Sequence, residues 1–212
     1  MKKIAITILA SILVASSAQS QVTLGVRAGY NLTNVYQKYE NRSIKGLLEW
    51  KSGFQLGVLV DCALLDDLSV QPGIIFSQQG MKGYTELDGV KTKLTFNMNY
   101  IQIPVNIQYK SDSGNIIKLF QAGPYLGYGI GGKMKGENTI DGKPENFYEK
   151  IKFGTGDEDD LKAFDFGLGV GAGLEIGHFQ AGLGYNFGLV CLTQNAKSKN
   201  LGMVFTITYL FR

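Results

Sequence analysis

The sequence predicts an all-β protein, namely an eight-stranded antiparallel up-and-down transmembrane β-barrel. Apolar and polar residues alternate in eight segments, and bacterial single-chain outer-membrane barrels have an even number of strands. Short and long connections separate these segments in turn. The composition, with 28 glycines, 11 tyrosines and 12 phenylalanines and few helix-like periodicities, also favours an all-β class.

The predicted strands cover residues 22–31, 52–63, 68–80, 93–109, 116–132, 162–177, 179–192 and 200–212. The connections 64–67, 110–115 and 177–178 are short, 193–199 is intermediate, and 32–51, 81–92 and 133–161 are long. Short turns at one end and long loops at the other are typical of a barrel inserted from the periplasm, with both termini on the periplasmic side.

The amino terminus has the pattern of a secretory signal peptide. Lys2 and Lys3 precede an apolar stretch, residues 4–15, and the small residues Ala18 and Ser20 on either side of Gln19 suit signal peptidase. We therefore expect residues 1–20 to be cleaved before Gln21, which leaves 21–212 as one barrel domain in the outer membrane. Two of the 21 basic residues lie in this leader, so 19 remain against 18 acidic residues. This balance gives no indication of nucleic-acid binding.

The segment AFDFGLGVGAGLEIG, residues 163–177, contains a loose dinucleotide-binding pattern at Gly167, Gly169 and Ala172. Such a pattern binds a cofactor only where a helix opens from it, and here the alternation continues without a helix. Apolar side chains occupy one face of this predicted strand, and glycine, Asp165 and Glu175 occupy the other. Because the interior of an eight-stranded barrel is narrow, glycine leaves room for the long polar side chains of other strands. We therefore expect no cofactor.

The other predicted strands divide in the same way. The first strand places Val22, Leu24, Val26, Ala28 and Tyr30 on one face and Thr23, Gly25, Arg27, Gly29 and Asn31 on the other. A soluble barrel of the lipocalin kind would turn the apolar face inward and expose the glycine, asparagine and glutamine face to water. The alternation therefore favours a lipid-facing apolar wall.

Aromatic residues cluster near both ends of the predicted strands, where interfacial girdles form. The last strand alternates apolar residues up to Tyr209 and Phe211. These two residues resemble the carboxy-terminal signal that outer-membrane insertion machinery recognises, with Arg212 as a one-residue departure.

Several segments together resemble a known family. They are GVRAGYNLTNV, SGFQLGVLVD, LSVQPGIIFSQQG, YIQIPVNIQYK, FQAGPYLGYGIGGK and the final ITYLFR. In order and spacing they are similar to the PorT-like outer-membrane β-barrel domain of gram-negative bacteria. The resemblance covers nearly all of the mature chain and implies an outer-membrane barrel. It also implies a possible connection with protein secretion, because the namesake of the family belongs to a secretion apparatus.

Two irregularities are expected within the strands. Pro72, Pro104 and Pro124 each remove a ladder donor, so we expect bulges there. In the fourth strand the apolar phase changes between Met98 and Ile101, as one extra residue near Asn99 or Tyr100 would produce.

Alternation places Arg27, Asp61, Asp165 and Glu175 inside the barrel. We expect Arg27 to pair with Asp61, because buried charges need partners, and Glu175 to join this polar network from across the lumen. Asp165, nearer the outer rim, is expected to stay hydrated. Gln55, Gln121 and Gln180 also point inward and fill the lumen.

Catalytic chemistry has little support in the sequence. The single histidine, His178, lies in a short turn, and barrel-type outer-membrane hydrolases rely on a histidine near the outer side. No catalytic or metal-binding residue is therefore assigned. The acidic run 156–160 lacks the spacing of a calcium loop and fits a solvated loop better. Cys62 and Cys191 are expected to be lipid-facing and too far apart for a disulfide.

Three functions remain open. The first is a small integral barrel with a structural, adhesive or assembly role through its outer loops or a protein partner. The second is a narrow pore, and the third is an outer-membrane lipid- or peptide-modifying enzyme. The expected partners are outer-membrane lipid, lipopolysaccharide, the insertion machinery and an unidentified protein.

Overall fold

The computed structural model describes residues 22–39, 42–43, 48–87, 90–112, 114, 116–140, 143–154, 161–191 and 197–212. The predicted signal peptide and the acidic run 156–160 lie outside the described residues. Eight long strands are present: β1 (Val22–Tyr39), β2 (Lys51–Leu65), β3 (Leu68–Leu87), β4 (Val90–Asp112), β5 (Ile117–Ile140), β6 (Phe164–Ile176), β7 (Phe179–Gly188) and β8 (Lys197–Phe211). Among the described residues, no helix is long and apolar enough to cross a membrane.

The eight strands form a closed antiparallel ring in which each strand pairs with its neighbours in the chain. The ring closes between β1 and β8, which pair from Leu24 opposite Phe211 to Lys38 opposite Lys197. Every ring strand therefore has a partner on both edges, so its backbone groups bond within the sheet. The predicted all-β antiparallel class is confirmed by this arrangement.

The two ends of the ring differ in their connections. At the short-turn end, two-residue turns join β2 to β3 and β6 to β7, and Gly177 in the second turn has a left-handed φ of 57°. At the opposite, long-loop end, the sheet continues beyond the predicted strands. There an additional strand, Lys143–Ile151, pairs with the end of β5. Two two-residue strands, Arg42–Ser43 and Leu48–Glu49, also pair with this sheet, and Phe153–Gly154 and Leu161–Lys162 form a separate two-stranded parallel sheet.

The predicted long loops are wrong in extent. Residues 81–87 and 90–92 pair as the top of the β3–β4 hairpin, and most of 133–151 pairs as a second hairpin. Alternation did not predict these strands because polar residues lie on their outward side and apolar residues on their inward side, the reverse of the ring strands. Lys82 and Lys93 are exposed on the outward side, whereas Met81 and Phe96 pack inward.

Side chains within the ring have inverted polarity relative to a soluble protein. Among the buried side chains that the structure describes, polar and charged residues outnumber apolar ones. The outward positions are apolar and exposed, as Leu24, Leu56 and Ile207 illustrate at about 60 % exposure each. This sidedness is the one that the alternation predicts.

The irregularities differ from those expected. The register stays continuous across Pro72, Pro104 and Pro124, so the predicted bulges are absent from these pairings. A register shift does occur at Asn99 and Tyr100, but the extra residue is Ile130 of β5. Alternation in β4 itself is unbroken, because the apolar side chains near its long-loop end face inward.

Glycine in β6 accommodates a large side chain from the neighbouring strand. Gly167 pairs with Tyr125 of β5, and a Cβ atom at Gly167 would lie 2.5 Å from the Tyr125 ring and 2.2 Å from the Phe187 carbonyl oxygen. Tyr125 is buried across the position that this Cβ would occupy. The glycine-rich strand therefore makes space for a buried ring rather than a phosphate.

We predict that Gly167→Ala lowers the free energy of unfolding in detergent by about 1–3 kcal/mol, because overpacking displaces the Tyr125 ring. Gly182→Ala is the matched control, since its Cβ would lie no closer than 3.1 Å to any atom, the Thr206 hydroxyl oxygen. Urea unfolding of both variants measures the difference. Equal losses in the two variants would contradict this role for Gly167.

Candidate functional site

Four charged side chains form an ion cluster at the short-turn end of the lumen. Lys110 Nζ lies 2.6 Å from Asp61 Oδ2 and 3.6 Å from Glu175 Oε2. Arg212 lies 2.6 Å from Glu175 Oε1 through Nη1 and 3.9 Å from Asp61 Oδ2 through Nη2. Two acids and two bases thus neutralise one another. Asp61 and Glu175 are buried, and their carboxylates depend on these partners because burial strips them of water.

Arg27 lies in the lumen but does not form the expected ion pair with Asp61. Its Nε donates to the Thr208 hydroxyl at 2.9 Å, and its Nη2 donates to Gln71 Oε1. In the β1–β2 register Arg27 faces Gly57, whereas Asp61 faces Thr23. Asp61 is therefore four residues nearer the short-turn end, where the flexible Lys110 stem reaches it.

A layer of glutamines connects Arg27 to the ion cluster. Gln71 donates to Gln180 Oε1 at 3.3 Å, and Gln180 donates to Glu175 Oε2 at 2.8 Å. Gln108 donates to Gln71 at 3.2 Å and to Gln121 at 3.0 Å. The predicted lumen residues Arg27, Asp61 and Glu175 therefore share one network, although the first is linked to the others through amides.

Above this layer lies a small cavity of about 50 Å³. Gln55, Gln102, Asn106 and Asn186 contribute polar walls to it, beside the Tyr125 ring. A polar space of this size suits a few water molecules rather than a continuous channel.

Asp165 is completely buried near the long-loop end of the ring, so the expectation that it stays hydrated is wrong. Its Oδ2 accepts hydrogen bonds from the Tyr125 hydroxyl at 3.3 Å and from Asn200 Nδ2 at 2.9 Å. Its neighbours shield it from solvent because the chain above the ring folds over the opening.

This cover is an apolar cluster, which we call the cap. Val35, Met98, Tyr100 and Ile151 form its buried centre. Phe153 packs edge-on against Tyr100 with ring centroids 5.6 Å apart. The predicted loop 133–161 thus contributes Ile151 and Phe153 to closing the lumen.

The predicted carboxy-terminal signal lies in an aromatic group at the short-turn end. The Tyr209 ring is 5.1 Å from both Phe179 and Phe211 and is stacked at 5.7 Å against His178. Phe211 is exposed on the outer face, whereas the next side chain, Arg212, reaches the lumen. His178 Nδ1 lies 3.1 Å from the Leu210 carbonyl oxygen.

The cysteines and acidic residues form no metal cluster in the part of the chain that the structure describes. Cys62 and Cys191 are both free thiols. Cys62 is buried beside the register shift between Ala63 and Leu65, rather than exposed on the outer face as expected.

Sequence reasoning missed the two basic partners, Lys110 and Arg212. Alternation, which placed Asp61 and Glu175 inside the ring, also applies to these two residues. Each occupies the inward position that follows an outward aromatic residue, Tyr109 or Phe211. The predicted fourth strand ended at residue 109, one residue short.

We predict strong coupling between Asp61 and Lys110 and weaker coupling between Asp61 and Arg27. Asp61→Leu or Lys110→Met alone should lower the free energy of unfolding by about 3–5 kcal/mol, because each leaves a buried charge without its partner. The double variant Asp61→Leu/Lys110→Met should lose about 1–3 kcal/mol less of the free energy of unfolding than the sum of the two single losses. The matched pair Asp61→Leu/Arg27→Met should be closer to additive in the same urea titrations. Larger coupling in the second pair would refute the observed arrangement of the ion cluster.

A family model for the outer membrane protein β-barrel domain matches residues 15–194. Among solved structures, the chain is similar to neisserial surface protein A, with 13 % identity, a TM-score of 0.45 and coverage of 89 % of this chain and 98 % of that one. It is also similar to Ail, the attachment invasion locus protein of Yersinia pestis, with 15 % identity, a TM-score of 0.42 and coverage of 90 % and 99 %. No curated protein matches. The chain belongs to the outer membrane protein β-barrel domain family.

Proposed function

We propose that this protein is a small integral outer-membrane β-barrel with a closed lumen, which acts through its long-loop end. The observation that carries this proposal is an apolar outer wall around an interior filled mainly by polar side chains. The short-turn end and both termini of the mature chain then face the periplasm, and the long-loop end faces outward. The role is structural, adhesive or concerned with assembly, through a protein partner or the cell surface.

The resemblance to the PorT-like domain adds a link to protein secretion to this proposal. The described lumen supports an accessory role rather than the conduit itself, because its cross-section is occupied from the ion cluster to the cap. An unidentified secretion component, bound at the long-loop end or in the periplasm, would be the partner. Crosslinking and capture from intact outer membranes test this link.

A pore is the second candidate, and the geometry disfavours it. The glutamine layer and the ion cluster obstruct the short-turn end, and the cap obstructs the long-loop end. The interior of an eight-stranded barrel is normally filled in this way by side chains.

An enzymatic function is not part of the proposal. His178 lies in the turn between β6 and β7, stacks on Tyr209 and approaches a backbone carbonyl. These contacts support a structural role at the membrane boundary.

Tyr209 and Phe211 support recognition by the insertion machinery, because both lie where β8 reaches the short-turn end.

We predict that the protein fractionates with outer membranes and begins at Gln21 after processing. Because closed barrels stay folded in detergent at room temperature, unboiled protein should migrate differently from boiled protein on a denaturing gel. Membrane fractionation, amino-terminal sequencing and paired gel lanes check these outcomes. Recovery as a soluble periplasmic monomer would exclude the proposal.

We also predict no steady conductance in planar bilayers, because the lumen is closed at two levels. A variant that removes side chains from the cap and the glutamine layer and leaves only the ion cluster in place, Phe153→Ala/Ile151→Ala/Gln71→Ala/Gln108→Ala, should show a higher frequency of brief current events than the wild type. Single-channel recording compares the two proteins. Steady porin-sized currents from the wild type would establish the pore instead.

A further inference from the structure

One wall of the sheet beyond the ring carries lysines on its outward side. The wall consists of the long-loop ends of β3, β4 and β5 and the additional strand Lys143–Ile151. Six of its lysines, which we call the lysine face, are Lys82, Lys91, Lys93, Lys133, Lys135 and Lys150. Five are exposed and Lys135 is partly exposed.

The inward side of the same wall is occupied by the cap. Met81, Phe96 and Met134 pack against the buried centre of this cluster. Because successive residues of a strand point to opposite sides, the lysines cannot turn toward the interior. The lysine face is thus held outward by an apolar core behind it.

The register brings like charges together at one part of this face. Lys133 lies directly opposite Lys150, with Asn97 on its other side. Lys135, two residues further along β5, lies between Thr95 and Tyr148. Like charges directly opposite in a sheet are destabilising unless a counter-charge is present.

In the register, acidic residues lie opposite lysines only in the other part of the face. Glu49, Glu86 and Glu137 lie opposite Lys82, Lys91 and Lys93. No acidic residue lies opposite Lys133, Lys135 or Lys150 in the described pairings. The ion pairs among the described residues are all in the short-turn cluster, so none includes these three lysines.

An exposed aromatic ring accompanies these three lysines. Tyr148 is 67 % exposed, and the Lys135 ammonium lies 5.8 Å from the centre of its ring. An exposed ring beside several ammonium groups suits a ligand that combines a flat apolar sugar face with negative charge.

The height of this group above the membrane follows from β5. Lys133 lies five residues beyond Tyr128, an exposed aromatic residue that stacks edge-on with Phe164 at the end of the ring. With about 3.3 Å per residue and a strand tilt of about 40°, the lysines stand roughly 12 Å above that aromatic level. The phosphorylated sugars of an outer-leaflet glycolipid occupy this zone.

We propose that Lys133, Lys135 and Lys150, with Tyr148, bind the phosphorylated inner sugars of lipopolysaccharide in the outer leaflet. The proposal rests on the outer-membrane location and orientation given above. It assigns the long-loop wall a lipid-recognition role that the fold alone does not imply. The unbalanced charge at the register positions of these lysines is offset by the phosphates of the ligand.

The test uses the full mature chain in phosphatidylcholine nanodiscs, with fluorescent lipopolysaccharide that contains only lipid A and inner core. The variant Lys133→Gln/Lys135→Gln/Lys150→Gln should weaken binding roughly 100-fold, about fivefold for each lysine. The charge-matched control Lys118→Gln/Lys162→Gln/Lys199→Gln should change it less than about threefold. Arginine at the three face positions should preserve binding, and dephosphorylated lipopolysaccharide should bind weakly to the wild type.

Equal losses in the two triple variants would overturn the proposal, as would unchanged binding after removal of the ligand phosphates. Tight binding of a sulfated heparin oligosaccharide, without binding of lipopolysaccharide, would assign the face to a different polyanion and also overturn it. Migration of unboiled samples reports the folded barrel independently. Folded protein in outer membranes that lacks lipopolysaccharide binding refutes this inference alone, whereas absence from outer membranes refutes the proposed function.

Discussion

The narrow interior of an eight-stranded ring is the constraint on which the rest of the structure depends. Such a ring leaves room for about one layer of side chains, so a large residue on one strand requires a small one opposite. Tyr125 across Gly167 shows this relation directly. The same narrowness brings polar side chains within hydrogen-bonding distance of one another, and the glutamine layer joins Arg27 to the ion cluster for that reason.

Buried charge within this space is tolerated because it is balanced locally. Asp61 and Glu175 face Lys110 and Arg212, and the cluster has two charges of each sign. Arg27 is held instead by neutral acceptors and by the field of the nearby acids. Removing one member is therefore expected to cost more than exchanging a matched pair. Stability of the lumen depends on the combination of residues rather than on any single contact.

Alternation predicted the strands of the ring and the inward position of Arg27, Asp61 and Glu175. It did not predict which of them touch, because pairing depends on the stagger between strands and on side-chain length. Lys110 was missed by one residue at a strand end. The alternation does not predict the strands beyond the ring, because their outward side is charged and their inward side is apolar, the reverse of the pattern within the ring. Burial of Asp165 was unexpected because the cap comes from residues distant in sequence.

The position of Arg212 links electrostatics to assembly. Its guanidinium reaches Asp61 of β2 only when β8 lies beside β1 and the ring is shut. In an open intermediate in which β8 has not docked, the ion cluster has two carboxylates and only the ammonium of Lys110, so it carries one excess negative charge. Docking of the last strand therefore removes that excess charge in the same event that seals the seam. The pairing of β1 with β8 is consequently favoured by electrostatic attraction inside the lumen, in addition to the hydrogen bonds between the two strands.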